Sequence, residues 1–112
     1  MVCLLLVTCL LGLSACGRPP STLELVQAHD ELIVITRNNS TTYFEGPEGP
    51  TGFEYELAKM FADYLGVNLR IVVPPSFSDI LPLTALGDAH LAAAGLTITR
   101  QRMKKVRFGP AY

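Results

Sequence analysis

The chain begins with an apolar run, Val2 to Leu13, and nothing later in the sequence repeats it. Beyond it, hydrophobic and polar positions alternate in shorter patterns. Thr22 to His29 (TLELVQAH) predicts a short helix with Thr22 as its cap. Leu32-Ile33-Val34-Ile35 is a continuous branched run, as expected of a strand buried on both faces. Asn38 to Thr51 is dense in Asn, Ser, Thr, Gly and Pro and reads as a loop. Phe53, Leu57, Met60, Phe61, Tyr64 and Leu65 recur at three-and-four spacing and predict one buried helical stripe. Glu54 and Glu56 fall in that helix's first turn, where the dipole favours acids, and Gly66 supplies its stop. Asn68 to Val73 predicts a second strand, ended by Pro74-Pro75. Ser76 to Leu86 is a weaker helix in which Pro82 is tolerable only near the start. Leu91 to Leu96 is a third strand of mostly small residues. Thr99 then caps a helix beginning at Arg100, and Phe108 to Tyr112 is extended.

Strand and helix therefore alternate three times, which specifies an α/β architecture with a parallel sheet and helical crossovers. Such sheets place ligands at the carboxyl ends of their strands. Two loops meet that condition, Arg37 to Phe44 and Gly95 to Arg102.

Composition changes the picture at the N-terminus. The apolar run ends in Leu13-Ser14-Ala15-Cys16, which resembles a bacterial lipobox, so residues 1–15 are expected to be a lipoprotein signal peptide with Cys16 lipidated. A run of this length is short for a membrane span of ~20 residues. A buried N-terminal helix or an uncleaved anchor is the alternative. Gly17 to Thr22 is a turn-rich tether, so residues 16–30 are expected to hold the domain off a membrane. Gly17, rather than an acid, follows the cysteine; by analogy with lipoprotein sorting, that favours the outer membrane. The remaining stretch of about 96 residues suits one small domain or part of a larger one. Cys3 and Cys9 leave with the leader, so no intrachain disulfide framework is expected. The formal net charge of −1 argues against a general nucleic-acid binder. The charge is uneven, with no acid after Asp88 while Arg100, Arg102, Lys104, Lys105 and Arg107 crowd the C-terminal end. Basic runs of that kind are most often solvated helix faces.

The stretch GLTITRQR (Gly95 to Arg102) carries the most chemistry. Gly95 lets a ligand approach the backbone, Thr97 offers a hydroxyl at a strand end, and free amides at a helix start attract anions. Arg102 supplies a fork that grips a carboxylate. A plain Thr cap followed by a solvated basic helix explains the same residues equally well. Tyr43 and Phe44 are placed to cover a small ligand, or else pack their loop on the sheet. His90 lacks partners at ligand spacing, so no metal or other cofactor is expected. Patterns of nucleophilic, metal or dinucleotide chemistry are absent. Glu54 and Glu56, two apart on a helix, diverge and read as helix-start acids.

With these residues assembled, the chain resembles the start of a bacterial family 3 extracellular solute-binding domain. Leu32 to Arg37, GFEYELAKMFADYLGVNLRIVV (Gly52 to Val73) and LAAAGLTITRQRMKKVRFGPAY (Leu91 to Tyr112) carry the likeness. It implies the first lobe of a two-lobed, type II periplasmic-binding fold, incomplete over residues 31–112. It also implies that Thr97 and Arg102 bind the carboxylate of an amino acid and that Gly95 and Ile80 line the cleft. The Arg37 position often carries an acid there, and His90 stands where Asp is usual. A narrower likeness, over ELIVITRNNSTTYFEGPEGPTGFEYELAKMFADYLGV, is to the membrane-bound lytic transglycosylases of the F type. These join such a domain to a peptidoglycan-cleaving one whose catalytic glutamate lies far downstream. The likeness implies a lipid-anchored, periplasm-facing domain that senses an amino acid or cell-wall peptide, with peptidoglycan a further partner. The alternatives are the receptor lipoprotein of an amino-acid importer, or a fold that binds nothing. A partial sheet is expected to leave an unpaired edge and an uncovered apolar face.

Overall fold

A computed structural model describes residues 17–112. The expected signal peptide and the lipidation of Cys16 lie outside the described residues. Helix α1 (Thr22–His29) is followed by strand β1 (Glu31–Ile35), a short hairpin of β2 (Phe44–Gly46) and β3 (Gly49–Thr51), and helix α2 (Phe53–Leu65). Strand β4 (Asn68–Val72), a 3₁₀ turn at Phe77–Asp79, helix α3 (Ile80–Leu86), strand β5 (Leu91–Ala92) and the single turn α4 (Arg100–Met103) complete it. Among these described residues no helix is long and apolar enough to cross a membrane.

β1 is central in a parallel sheet of order β4-β1-β5. Its branched run works as expected, because successive residues face opposite sides. Leu32 and Val34 pack with Val26 of α1 and with Ala58 and Ala62 of α2. Ile35 joins Ile80, Ala89 and Ala94 on the other side, with Ile33 against them. Each sheet face thus carries a small apolar core, and the strand ends that bear Arg37 and Gly95 sit beside one another.

Several elements differ from the pattern-based expectation. Ser21, not Thr22, caps α1, in a reciprocal box with Glu24. The loop Asn38 to Thr51 holds the β2–β3 hairpin, whose strands are too short and too rich in Gly and Pro to register as alternation. The third strand is two residues long, because after Ala93 the chain leaves the ladder for Gly95, which sits in the left-handed region at φ +62°. The larger correction is to α2. The stripe Phe53, Leu57, Met60, Phe61, Tyr64 is exposed, with Met60 at 67% and Tyr64 at 85%. Glu54, Ala58 and Ala62 are buried instead. Two alanines let the helix lie close on β1, and two tethers fix its rotation. The Tyr55 amide donates to the Thr42 carbonyl at 3.0 Å, and Glu54 is held at Gly95. Gly52, at φ +130°, permits that approach, since a Cβ there would stand 2.4 Å from the Thr42 carbonyl oxygen.

Candidate functional site

The carboxyl ends of β1 and β5 bring two loops together. Thr36, the first residue past β1, donates its hydroxyl to the Ala93 carbonyl. Thr42 is buried and donates to the Arg37 carbonyl at 2.7 Å, which curls the first loop against α2. Gly95 follows β5 and presents its amide to Glu54 Oε1 at 2.8 Å. Glu54 is only 6% exposed, and its Oε2 is buried with no hydrogen-bond partner among the described residues. Burial pushes this carboxyl's pKa above its ordinary value, opposed by the Gly95 amide, the nearby Tyr112 hydroxyl and the Arg37 charge. Sequence reasoning assigned Glu54 to the helix dipole and missed this role. Its one available signal was the helical phase it shares with Ala58 and Ala62.

Thr97 and Arg102 are also brought together, through main chain rather than hydroxyl. The Arg102 guanidinium donates to the Thr97 carbonyl at 2.8 Å. Thr99 caps the turn as expected, its hydroxyl accepting the Arg102 amide at 3.2 Å and its carbonyl the Met103 amide. With four residues, α4 has little macrodipole, so the anion attraction expected of a helix start reduces here to the arginine fork. Gly95 and Thr97 line an open groove of about 1010 Å³, with Leu57 and Phe61 of α2, β5 and residues 105–112 as its walls; Arg102 does not line it.

The remaining candidates stand elsewhere. Ile80 is fully buried in the core between α3 and the sheet, beneath the strand ends rather than at a surface. Tyr43 turns toward α2, edge-on to Tyr55 with centroids 5.7 Å apart, and its hydroxyl donates to Glu45 at 2.6 Å. It lines a separate hollow of about 390 Å³ with Lys59 and Asp63. Phe44 lies half-buried in the hairpin. Phe77 is an aromatic that does reach the strand ends, the Arg37 guanidinium carbon standing 4.9 Å from its ring centroid. Its signal was position alone, just past the carboxyl end of β4. His90 is a structural residue whose Nδ1 accepts the Ile33 amide at 3.0 Å. Among the described residues no group of three or more His, Cys, Asp or Glu side chains is placed to hold a metal.

Comparison with known proteins fits this geometry. The family model described as bacterial extracellular solute-binding proteins, family 3, matches residues 32–112. The chain belongs to that family. Its fold is that of a type II periplasmic binding protein: the ancestral cationic amino acid solute-binding protein AncCDT-1 superposes with a TM-score of 0.72 at 36% identity, covering 79% of this chain and 39% of that one. A point mutant of the arginine-bound domain 1 from TmArgBP gives 0.73 at 28% identity, covering 80% of this chain and 70% of that one. Two curated relatives are named membrane-bound lytic murein transglycosylase F. The protein of Saccharophagus degradans is 48% identical over 96 residues, which is 86% of this chain and 19% of that protein. That of Alcanivorax borkumensis is 48% identical over 103 residues, 91% of this chain and 22% of the relative. This family 3 chain therefore spans about a fifth of the length of these curated relatives.

Proposed function

We propose that these residues form the ligand-binding region of a lipid-anchored, periplasm-facing protein of the cell envelope, of the kind that precedes a peptidoglycan lytic transglycosylase. Its role is to recognise a small anionic ligand, an amino acid or a cell-wall peptide. Arg102 holds the ligand carboxylate, with the Thr97 hydroxyl and the Gly95 backbone beside it, and Cys16 is the lipidated residue that places the domain at the outer membrane. The observation that carries the reading is the 48% identity to transglycosylases F over nearly the whole chain, joined to an arginine folded back on Thr97 at the strand ends. In this structure Arg102 donates to a neutral carbonyl. A carboxylate is the stronger acceptor, since charge-assisted hydrogen bonds are roughly twice as strong as neutral ones. Ligand binding thus exchanges a weak partner for a strong one.

Titration calorimetry of the full-length protein with amino acids and with muropeptides, for wild type and Arg102→Ala, tests this. The expected outcome is a loss of about 2 kcal/mol or more in binding free energy, the typical range for a charged hydrogen bond. Unchanged affinity removes Arg102 from the site. A second reading, the receptor of an amino-acid importer, draws on the amino-acid-binding proteins among the structural relatives. Genomic sequence beyond the Tyr112 codon separates the two: a transglycosylase domain supports the first, and a stop after a second lobe beside permease genes supports the other.

A further inference from the structure

One face of α2 has no role in the reading above. Tyr55, Lys59 and Asp63 stand four apart and share a stripe, while Leu57 and Phe61 of the groove lie on the opposite flank. With Tyr43, Leu69 and Ile71, that stripe borders the separate hollow of about 390 Å³, a volume in the range of small-molecule sites. Tyr43 is anchored there by its bond to Glu45 and its edge-on contact with Tyr55, so the aromatic wall is preformed. Lys59 and Asp63 are exposed and do not pair with each other; the ion pairs among the described residues are Arg18–Glu24 and Arg70–Glu31. A base one turn before an acid is the poorer order on a helix. The far wall is a sheet edge, since β4 pairs only with β1 among the described residues. The Asn68 amide bonds the Asp30 carbonyl and the Val72 carbonyl accepts the Thr36 amide, so residues 68, 70 and 72 serve β1. The amides and carbonyls of Leu69 and Ile71, between them, point outward along the hollow.

We propose that this hollow is a second binding site, separate from the strand ends, and that it takes a neutral sugar ring of a glycan chain. A pyranose has a C–H face, which packs on an aromatic wall, and a rim of hydroxyls that donate and accept at once. The hollow offers a counterpart to each. Lys59 only donates, ionised Asp63 only accepts, and the main chain of Leu69 and Ile71 does both. The lining carries one cation and one anion, so no net charge draws an ion to it. The sugar class follows from the site, while its source, the peptidoglycan glycan strand, rests on the envelope reading given above. Bound there, the strand holds the domain on the polymer while the strand ends read a separate small ligand.

Hydrogen exchange of the full-length protein with chitotetraose, a neutral tetramer of N-acetylglucosamine, tests this. The outward amides of Leu69 and Ile71 are unpaired, so slowed exchange in peptides spanning β4 reads occupancy directly and is blind to sugar bound elsewhere in the protein. Wild type is expected to show saturable slowing at millimolar sugar. The double variant Lys59→Ala, Asp63→Ala, at two exposed positions, is expected to raise the half-saturating concentration roughly tenfold, the worth of one or two hydrogen bonds. Melting curves matched to wild type show that it is folded. No slowing in wild type, or slowing that the double variant leaves intact, overturns the proposal. Slowing by tetraalanine where chitotetraose gives none also overturns it, and marks a peptide-pairing edge instead. Arg102→Gln separates this site from the first. It is expected to leave the slowing unchanged, and a loss of slowing in that variant overturns the second site. Failure with chitotetraose leaves the Arg102 reading to its own calorimetry with amino acids, which does not depend on the hollow.

Discussion

Glu54 fastens the start of α2 to the ligand loop through one carboxylate oxygen, and the other oxygen is buried without a partner among the described residues. Because burial raises its pKa, the fold favours the protonated form. The stability this supplies is full at low pH and is lost as pH rises through the raised value. Glu54→Gln keeps the acceptor for Gly95 without the charge, so its melting temperature is expected to equal or exceed that of wild type at pH 7. The difference should close below about pH 4, where both side chains are neutral. Glu54→Ala leaves the Gly95 amide unmet and should cost about 1–3 kcal/mol in chemical denaturation. His90 works with the opposite sign. Desolvation lowers its pKa against the pull of Glu31 and with the push of His29 and Arg70, and its Nδ1 must stay unprotonated to accept the Ile33 amide. Its contribution is present above the ordinary value of about 6.5 and is lost as pH falls through the lower folded value. Thermal melts at pH 7.5 and pH 5 should therefore show a larger fall for wild type than for His90→Asn. An equal fall contradicts the assigned bond. The Glu54 role was not visible in the sequence, because a buried acid and a surface acid are spelled alike until the helix phase is known, whereas His90, without partners at ligand spacing, reads as the partly buried polar residue it is.

At the scale of elements, α2 shows how far a hydrophobic pattern can be trusted. The helix, its length and its glycine stop were legible from spacing. Which face it buries was not, because Ala58 and Ala62 are small and weigh little beside Phe53, Met60 and Tyr64. What decides the rotation is tertiary: the bonds to Thr42 and Gly95 at its first turn. Ala62→Leu is expected to overpack the contact with Leu32 and Val34 and to cost about 1–3 kcal/mol. Tyr64→Ser, on the open face, should stay within about 0.5 kcal/mol. Denaturant unfolding of the two variants in the full-length protein checks this, and the reverse ranking would restore the aromatic stripe as the buried one. β1 was legible as a branched run, and β4 as a short stretch ending in Ile71-Val72-Val73 between Gly66 and Pro74-Pro75. β5 was overextended because Ala92-Ala93-Ala94 has no side chain large enough to mark where pairing stops.

For the whole molecule, the α/β class and the parallel order followed from alternation, and the strand-end location of Gly95, Thr97 and Arg102 followed from the class. Tyr43 escaped that logic, since a loop aromatic packs wherever a partner ring lies, here Tyr55, and Phe44 was drawn into the β2–β3 hairpin. The exposed apolar face of α2 and the two-residue edge β5 make residues 17–112 adhesive by themselves. As an isolated polypeptide they are expected to self-associate, and sedimentation at micromolar concentration checks it. A monomer with one cooperative melting transition would contradict it.

The claim on which the functional account turns is that Arg102 exchanges the Thr97 carbonyl for a ligand carboxylate. A crystal structure of the full-length protein grown with L-glutamate reads this directly. Both terminal nitrogens of Arg102 are expected at about 2.8 Å from the two oxygens of one ligand carboxylate, with the bond to Thr97 lengthened or gone. Glutamate bound elsewhere, while Arg102 still donates to Thr97, would contradict it.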